Sequence, residues 1–143
     1  MKIFLTAGSG FIGEKLAAEL ERHSHSCTIL SRRPAIQHGG NQSVRYVRGD
    51  PSKPGPWQEN MMDHDAVINL AGTSIFQHWS NHVREDILNS RIMSTRRIVE
   101  AITGSPGTSI QFFNASGIGY YGYRKDEFLD EQSPSGDTFL AHV

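Results

Sequence analysis

Three glycines near the start of the chain, in Gly8-Ser9-Gly10-Phe11-Ile12-Gly13, fit the pattern G-x-G-x-x-G, and their surroundings decide what they mean. The run Ile3-Phe4-Leu5 just before them is short, apolar and β-prone, as a strand buried on both faces should be. After them Phe11, Ile12, Leu16, Ala17 and Leu20 recur at helical spacing, with charged residues on the other face. A second strand, Cys27-Thr28-Ile29-Leu30-Ser31, follows at once. The result is a β–α–β unit of about thirty residues, with a right-handed parallel crossover. A plain βα turn can also be rich in glycine. Within this unit each glycine has a task. The first permits a tight turn and the second lets backbone approach a pyrophosphate. The third lets helix and strand pack closely, while the helix N-terminus offers free N–H groups to the anion. The expectation is a dinucleotide-binding loop.

The alternation continues. Val44–Arg48 reads as a third strand, ended by Gly49-Asp50-Pro51, and Trp57–Met62 as one short helix. The segment from Arg33-Pro34 to Gln42 reads as a loop. Ala66–Leu70 is a fourth strand that runs into Ala71-Gly72, and Ile110–Ala115 a fifth. Between them Val83, Ile87, Leu88, Ile92, Ile98, Val99 and Ile102 mark a long helical region from Ser80, interrupted near Asn89-Ser90. It stops at Gly104-Ser105-Pro106-Gly107. This order predicts an α/β fold with a doubly wound, Rossmann-type parallel sheet of about five strands, in the order 3-2-1-4-5, between two helical layers. A polar, Gly/Tyr-rich stretch covers Ser116 to Asp137, and Phe139–Val143 looks like the first turn of a helix. Residues 1–143 are therefore expected to be the N-terminal, nucleotide-binding part of something longer, without a substrate lobe.

Composition excludes several function classes. With 14 Lys+Arg against 15 Asp+Glu, the net charge of −1 argues against nucleic-acid binding through bulk charge. The single cysteine, Cys27, rules out an internal disulfide and a cysteine-based zinc site, and suits a cytoplasmic protein. No apolar run approaches the roughly 20 residues of a membrane span.

The end of strand two is the second checkpoint for a dinucleotide. An acidic residue there would bind the adenosine ribose and select NAD(H). This chain has Ser31-Arg32-Arg33 instead. A hydroxyl and two guanidiniums suit a 2′-phosphate, so NADP(H) is preferred over NAD(H). Two solvated arginines at a loop start are the simpler alternative.

Thr6-Ala7-Gly8-Ser9-Gly10-Phe11-Ile12-Gly13, Asp65-Ala66-Val67-Ile68-Asn69-Leu70-Ala71-Gly72 and Asn114-Ala115-Ser116-Gly117-Ile118-Gly119-Tyr120-Tyr121-Gly122 come in a telling order and spacing. Together they resemble the extended short-chain dehydrogenase/reductases, the NAD-dependent epimerase/dehydratase group. Asn89-Ser90-Arg91, Thr95-Arg96 and Asp130-Glu131-Gln132-Ser133-Pro134 narrow the likeness to sugar-nucleotide epimerase-like proteins. It covers essentially the whole chain, but only about the first half of such a protein.

The resemblance implies roles at matching positions. Gly8, Ser9, Gly10 and Gly13, with the backbone of Phe11 and Ile12, would hold the pyrophosphate, and Arg32 and Arg33 the 2′-phosphate. Asp50 would lie near the adenine amino group, or else simply open a Gly-Asp-Pro turn. Leu70, Ala71 and Gly72 would let the ribose lie against strand four, and Ala115 would add a contact from strand five. Ser116 would hydrogen-bond the reacting carbonyl or hydroxyl, unless it is a turn serine. Tyr120 and Tyr121 would approach the same crevice, with Tyr121 the catalytic candidate. The implied activity is hydride transfer on a carbonyl or carbinol of a small-molecule, nucleotide-sugar-like substrate. The alternative is a non-catalytic NADPH sensor or interaction module. A homodimer is compatible with these residues but not readable from them.

Three departures stand out. Ala7 replaces a frequent glycine, and Arg91 stands where many members carry Asn. The Tyr-x-x-x-Lys acid–base pair belongs on the helix that begins near Phe139. Tyr121 and Lys125 have its spacing, but in a Gly-containing loop where no fixed geometry lowers the tyrosine pKa. His78-x-x-x-His82 has a metal-ligand spacing but lacks the Glu of H-E-x-x-H and a third ligand, so no metal is expected.

Overall fold

The computed structural model describes residues 1–33 and 43–143. The loop expected up to Gln42 therefore falls, from 34 to 42, outside the described residues. Among the described residues five strands form one sheet: β1 (Lys2–Thr6), β2 (Ser26–Ser31), β3 (Val44–Arg48), β4 (Ala66–Asn69) and β5 (Gln111–Asn114). Their order is β3-β2-β1-β4-β5 and every pairing is parallel. The reversal between β1 and β4 is the topological switch at which such sheets bind ligands beyond the strand C-termini.

Side-chain alternation along β1 shows why helices cover both faces. Ile3 and Leu5 pack with Cys27, Ile29, Ala66 and Ala17 of α1 (Phe11–Arg22). Phe4 points the other way, into a cluster with Leu30, Val67, Trp57 and Met61 of α2 (Trp57–Met61) and Ile98 of α3 (Asn81–Thr103). A strand covered on both sides must be apolar throughout, and Ile3, Phe4 and Leu5 are all buried.

Two expectations need correction. Phe11 and Ile12 share the helical spacing of the core stripe, yet they are 86% and 66% exposed. In that first turn Gly13 faces the sheet, so close that a Cβ there would lie 2.5 Å from Gly8 Cα. The buried stripe of α1 starts at Gly13 and continues through Leu16, Ala17 and Leu20. The second correction concerns α3, which runs unbroken through Asn89-Ser90. Ser90 Oγ donates to the Ile87 carbonyl within the helix (3.1 Å) and accepts from Thr73 N–H outside it (2.9 Å). A residue that often interrupts helices here ties the helix to a loop.

The chain finishes with a 3-10 turn at Ile118–Tyr121 and α4 (Phe139–His142). Phe139 meets Trp79 edge-on at 5.4 Å between ring centres, and the Arg84 guanidinium lies over both rings. That clasp fixes the start of α4 against the start of α3.

Candidate functional site

Two adjoining clefts open where the strands end, and Ala71 and Gly72 belong to both. The smaller, about 280 Å³, lies over β1, β2 and β3 and is lined by Ser9, Gly10, Ser31, Arg32, Arg33 and Asp50 among others. The larger, about 760 Å³, lies over β4 and β5, with Leu70, Ala115, Ser116 and Tyr120 on its walls. Residues from seven separate stretches of sequence thus meet in one crevice.

In the glycine loop the conformational burden falls on an unexpected residue. Ala7 has φ 53°, the left-handed region, whereas Gly8 does not take a positive φ. Gly8 is needed for space: a Cβ there would come within 2.9 Å of Ile29 Cγ2 and 3.2 Å of Leu5 Cβ. Gly10 is different again. Its Cβ would meet only the Ala7 carbonyl, at 3.3 Å, so the protein itself leaves room there for a ligand. Gly10 also precedes α1 as its cap, and among the described residues no side chain bonds to the free N–H groups of that first turn. The backbone of Phe11 and Ile12 supplies that turn, while their side chains stay outside the cleft.

Across from this loop Ser9 Oγ and Ser31 Oγ lie 3.5 Å apart, and Arg33 N–H donates to Ser31 Oγ at 3.2 Å. Asp50 Oδ1 accepts from the backbone N–H (3.0 Å) and hydroxyl (2.7 Å) of Ser52. Burial opposes its ionisation most. The two Ser52 bonds, with the charges of Lys53 and Arg32, outweigh that and hold the carboxyl below its usual range. Asp50 thus both opens a turn and presents a carboxylate at the cleft.

Between the clefts lies a buried polar network that the sequence reading missed. Thr6 Oγ1 donates to Asn69 Oδ1, and Asn69 Nδ2 donates to Asn114 Oδ1 at 2.8 Å and Ser94 Oγ at 3.2 Å. Asn69 Oδ1 also accepts from Ala71 N–H (3.2 Å), and Leu70 N–H donates to Thr6 Oγ1 (3.2 Å). One amide therefore joins β1, β4, β5 and α3 and sets the course of the chain as it leaves β4. An amide inside the otherwise apolar run Ala66–Leu70 was the available signal.

Arg91, noted only as a departure, has a structural task. Its Nη1 donates to the carbonyls of Thr73 (3.1 Å) and Ile87 (3.0 Å). A Cβ on Gly72 would sit 2.9 Å from its Cζ, so Gly72 makes room for the guanidinium.

Ser116 follows β5 on the wall of the larger cleft. Tyr121 does not line that cleft. Its hydroxyl donates to the Asp130 carbonyl (2.9 Å), while the neighbouring Tyr120 faces the cleft. Lys125, four residues on, sits in a turn with φ 52°. His78 precedes α3 and His82 lies within it, so the two do not share a helical face. Among the described residues no group of three His, Cys, Asp or Glu could hold a metal, and no helix is long and apolar enough to cross a membrane.

Comparisons with known proteins agree with this architecture. A Bacillus subtilis protein named epimerase family protein YfhF is 36% identical over 100% of this chain and 46% of its own length. A crystal structure of human epimerase family protein SDR39U1 with NADPH superposes with TM-score 0.77 at 26% identity, covering 99% of this chain and 45% of that one. A nucleoside-diphosphate sugar epimerase from Corynebacterium glutamicum gives TM-score 0.74 at 29% identity, over 99% and 28%. The chain spans less than half the length of the curated relatives it matches. Residues 3–139 match the profile described as the NAD dependent epimerase/dehydratase family. Sheet order, glycine loop and sequence relatives agree, and the chain belongs to the NAD-dependent epimerase/dehydratase family.

Proposed function

We propose that this chain is the NADP(H)-binding half of an epimerase- or oxidoreductase-like enzyme that acts on a carbonyl or carbinol carbon. One observation carries the cofactor choice: Ser31, Arg32 and Arg33 line the smaller cleft, where an NAD(H) site would offer a carboxylate from the end of β2. The human relative crystallised with NADPH supports the same choice. Gly10 and the first turn of α1 would receive the pyrophosphate. Asp50 would accept from the adenine amino group, which its ionised state suits. Leu70, Ala71 and Gly72 would pass the cofactor from the smaller cleft to the larger, with Ala115 beside it.

The bound nicotinamide would supply or accept a hydride at C4. This chain's own contribution to that step would be orientation. Ser116 would donate to the substrate oxygen at the end of β5, and Tyr120 would cover the crevice. The non-catalytic alternative draws support from Tyr121 and Lys125, because the tyrosine hydroxyl is spent on Asp130 and the lysine sits in a separate turn. Turnover of the full-length protein with sugar nucleotides and simple carbonyls separates the two.

Calorimetric titration with NADPH and NADH tests the cofactor. NADPH should bind at least about tenfold more tightly, the worth of one charge-assisted phosphate contact. Arg32→Ala and Arg33→Ala should erase that difference. Equal affinities, unchanged by either substitution, would overturn the preference. Gly10→Val should abolish both titrations while far-ultraviolet circular dichroism stays native, since its side chain would occupy ligand space rather than core.

A further inference from the structure

Under the function proposed above, substrate lies in the larger cleft, and the chemistry of that cleft narrows the substrate class. Arg91 and Arg96 line it, and among the described residues no Asp or Glu does. Composition does not force this, because acids slightly outnumber bases in the chain, 15 to 14. Of the other helical arginines, Arg22 pairs with Glu19 and Arg97 with Glu100, each at 2.7 Å, while Arg84 lies over the Trp79 and Phe139 rings. Among the described residues the Arg91 guanidinium has only the two carbonyls already given, and the Arg96 guanidinium makes no hydrogen bond. Nor does any carboxylate among the described residues lie within ion-pair distance of either guanidinium.

Burial pushes the Arg91 guanidinium below its usual value, and among the described residues no charge offsets it. A guanidinium nevertheless stays protonated, so Arg91 carries a partly desolvated positive charge with no counter-charge among the described residues. An anion entering the cleft would remove that cost. Ile92 and Val99 form part of the wall around these arginines, and an apolar wall strengthens an ion pair beside it. Ser116 and Tyr120 supply neutral hydroxyls in the same cleft for a carbonyl or carbinol oxygen. Charge recognition and reaction thus have separate donors.

We propose that the larger cleft receives a small substrate carrying an anionic group, a carboxylate or a phosphate, held by Arg91 and Arg96. This rests on the reading of the crevice as a nicotinamide cofactor and substrate site. Three ligands with a common ring test it: D-glucose (neutral), D-glucuronate (carboxylate) and D-glucose 6-phosphate (phosphate). Each is titrated calorimetrically at low salt into the NADPH-loaded protein, and again into Arg96→Gln. At least one anion should bind about tenfold or more tighter than glucose, as a charge-assisted pair requires. The advantage should shrink with added salt and vanish in Arg96→Gln, with NADPH affinity unchanged. Which anion wins identifies the group. Equal binding of all three ligands, or a preference that survives in Arg96→Gln, would overturn the proposal. So would loss of NADPH affinity in that variant, because the arginine would then serve the cofactor. The same titrations without NADPH measure the anion preference even if the cofactor reading fails.

Discussion

Ala7 occupies a backbone conformation that costs an L-residue roughly 1–2 kcal/mol, at φ 53°. Glycine would remove that cost but lose about 0.5–1 kcal/mol through greater freedom in the unfolded chain. The first term is the larger, so Ala7→Gly should raise stability by up to about 1 kcal/mol, read from the urea midpoint. Ala7→Val should lower it, because a β-branched residue tolerates the left-handed region worse. The position was visible in the sequence as a departure; its strain was not, because a motif fixes residue types without saying which residue takes the positive φ. His64 carries a second prediction. Burial is the main influence on its ring and lowers its pKa from the ordinary 6.5, against weaker raising effects from the Met61 and Asn60 backbone and from Asp63. Its Nε2 lies 2.8 Å from Thr28 Oγ1, and Nδ1 is buried without a partner among the described residues. The folded state therefore favours neutral imidazole, and the unfolded chain binds the proton more readily. Stability from this group is complete above pH 6.5 and is lost as pH falls from there through the folded value. Urea midpoints measured from pH 7.5 down to 5.5 should decline, and His64→Gln should flatten the decline; an equal slope in the variant would assign it to other groups.

At the scale of elements, β1 to β5 and α1 to α3 were legible because a parallel sheet demands apolar runs and its helices demand a periodic face. Observed boundaries differ from the expected ones by about a residue, as at Asn69, where β4 ends one residue before Leu70. The interruption expected near Asn89-Ser90 is absent because Ser90 contributes to tertiary structure. Its hydroxyl caps Thr73 N–H in the loop beside Gly72, and Arg91 holds the Thr73 carbonyl from the same helical turn. Sequence alone shows a serine at a weak helix position; only the packed loop shows what it bonds. Ser90→Ala is a better helix former by a few tenths of a kcal/mol. It also leaves a half-buried N–H without its partner, at a cost of about 1–3 kcal/mol. The second effect wins. Ser90→Ala should be destabilised by about 1–2 kcal/mol in urea, with α3 helicity retained. Because Thr73 and Ser90 both line the smaller cleft, NADPH affinity should fall too. A variant as stable as the parent would show that water satisfies Thr73 N–H.

Across the whole molecule the candidate site was legible as separate fragments and illegible as a continuous surface. Gly10, Arg32 and Asp50 could each be found by motif and spacing. That Ala71 and Gly72 join two clefts depends on the order β3-β2-β1-β4-β5 and on the Asn69 amide that holds three strands and α3 together. No local pattern encodes such an amide, since Thr6, Ser94 and Asn114 come from distant parts of the chain. This arrangement has a consequence for binding. Both clefts are walled by residues at the ends of one sheet, so a ligand that spans them bridges β2 and β3 on one side to β4 and β5 on the other. Such a ligand binds the folded chain and has nothing comparable to bind in the unfolded one. At a free concentration about a hundred times its dissociation constant it adds roughly 2.7 kcal/mol to the unfolding free energy. For a chain of this size each kcal/mol moves the melting temperature by roughly 3 °C, so saturating NADPH should raise Tm by about 8 °C. A mononucleotide confined to the smaller cleft, 2′,5′-ADP, should give less at the same concentration, because it leaves Leu70, Ala115 and Ser116 untouched. Thermal scans with NADPH, 2′,5′-ADP and NADH therefore separate the two halves of the crevice. Shifts from 2′,5′-ADP equal to those from NADPH would mean that the larger cleft takes no part in holding the cofactor.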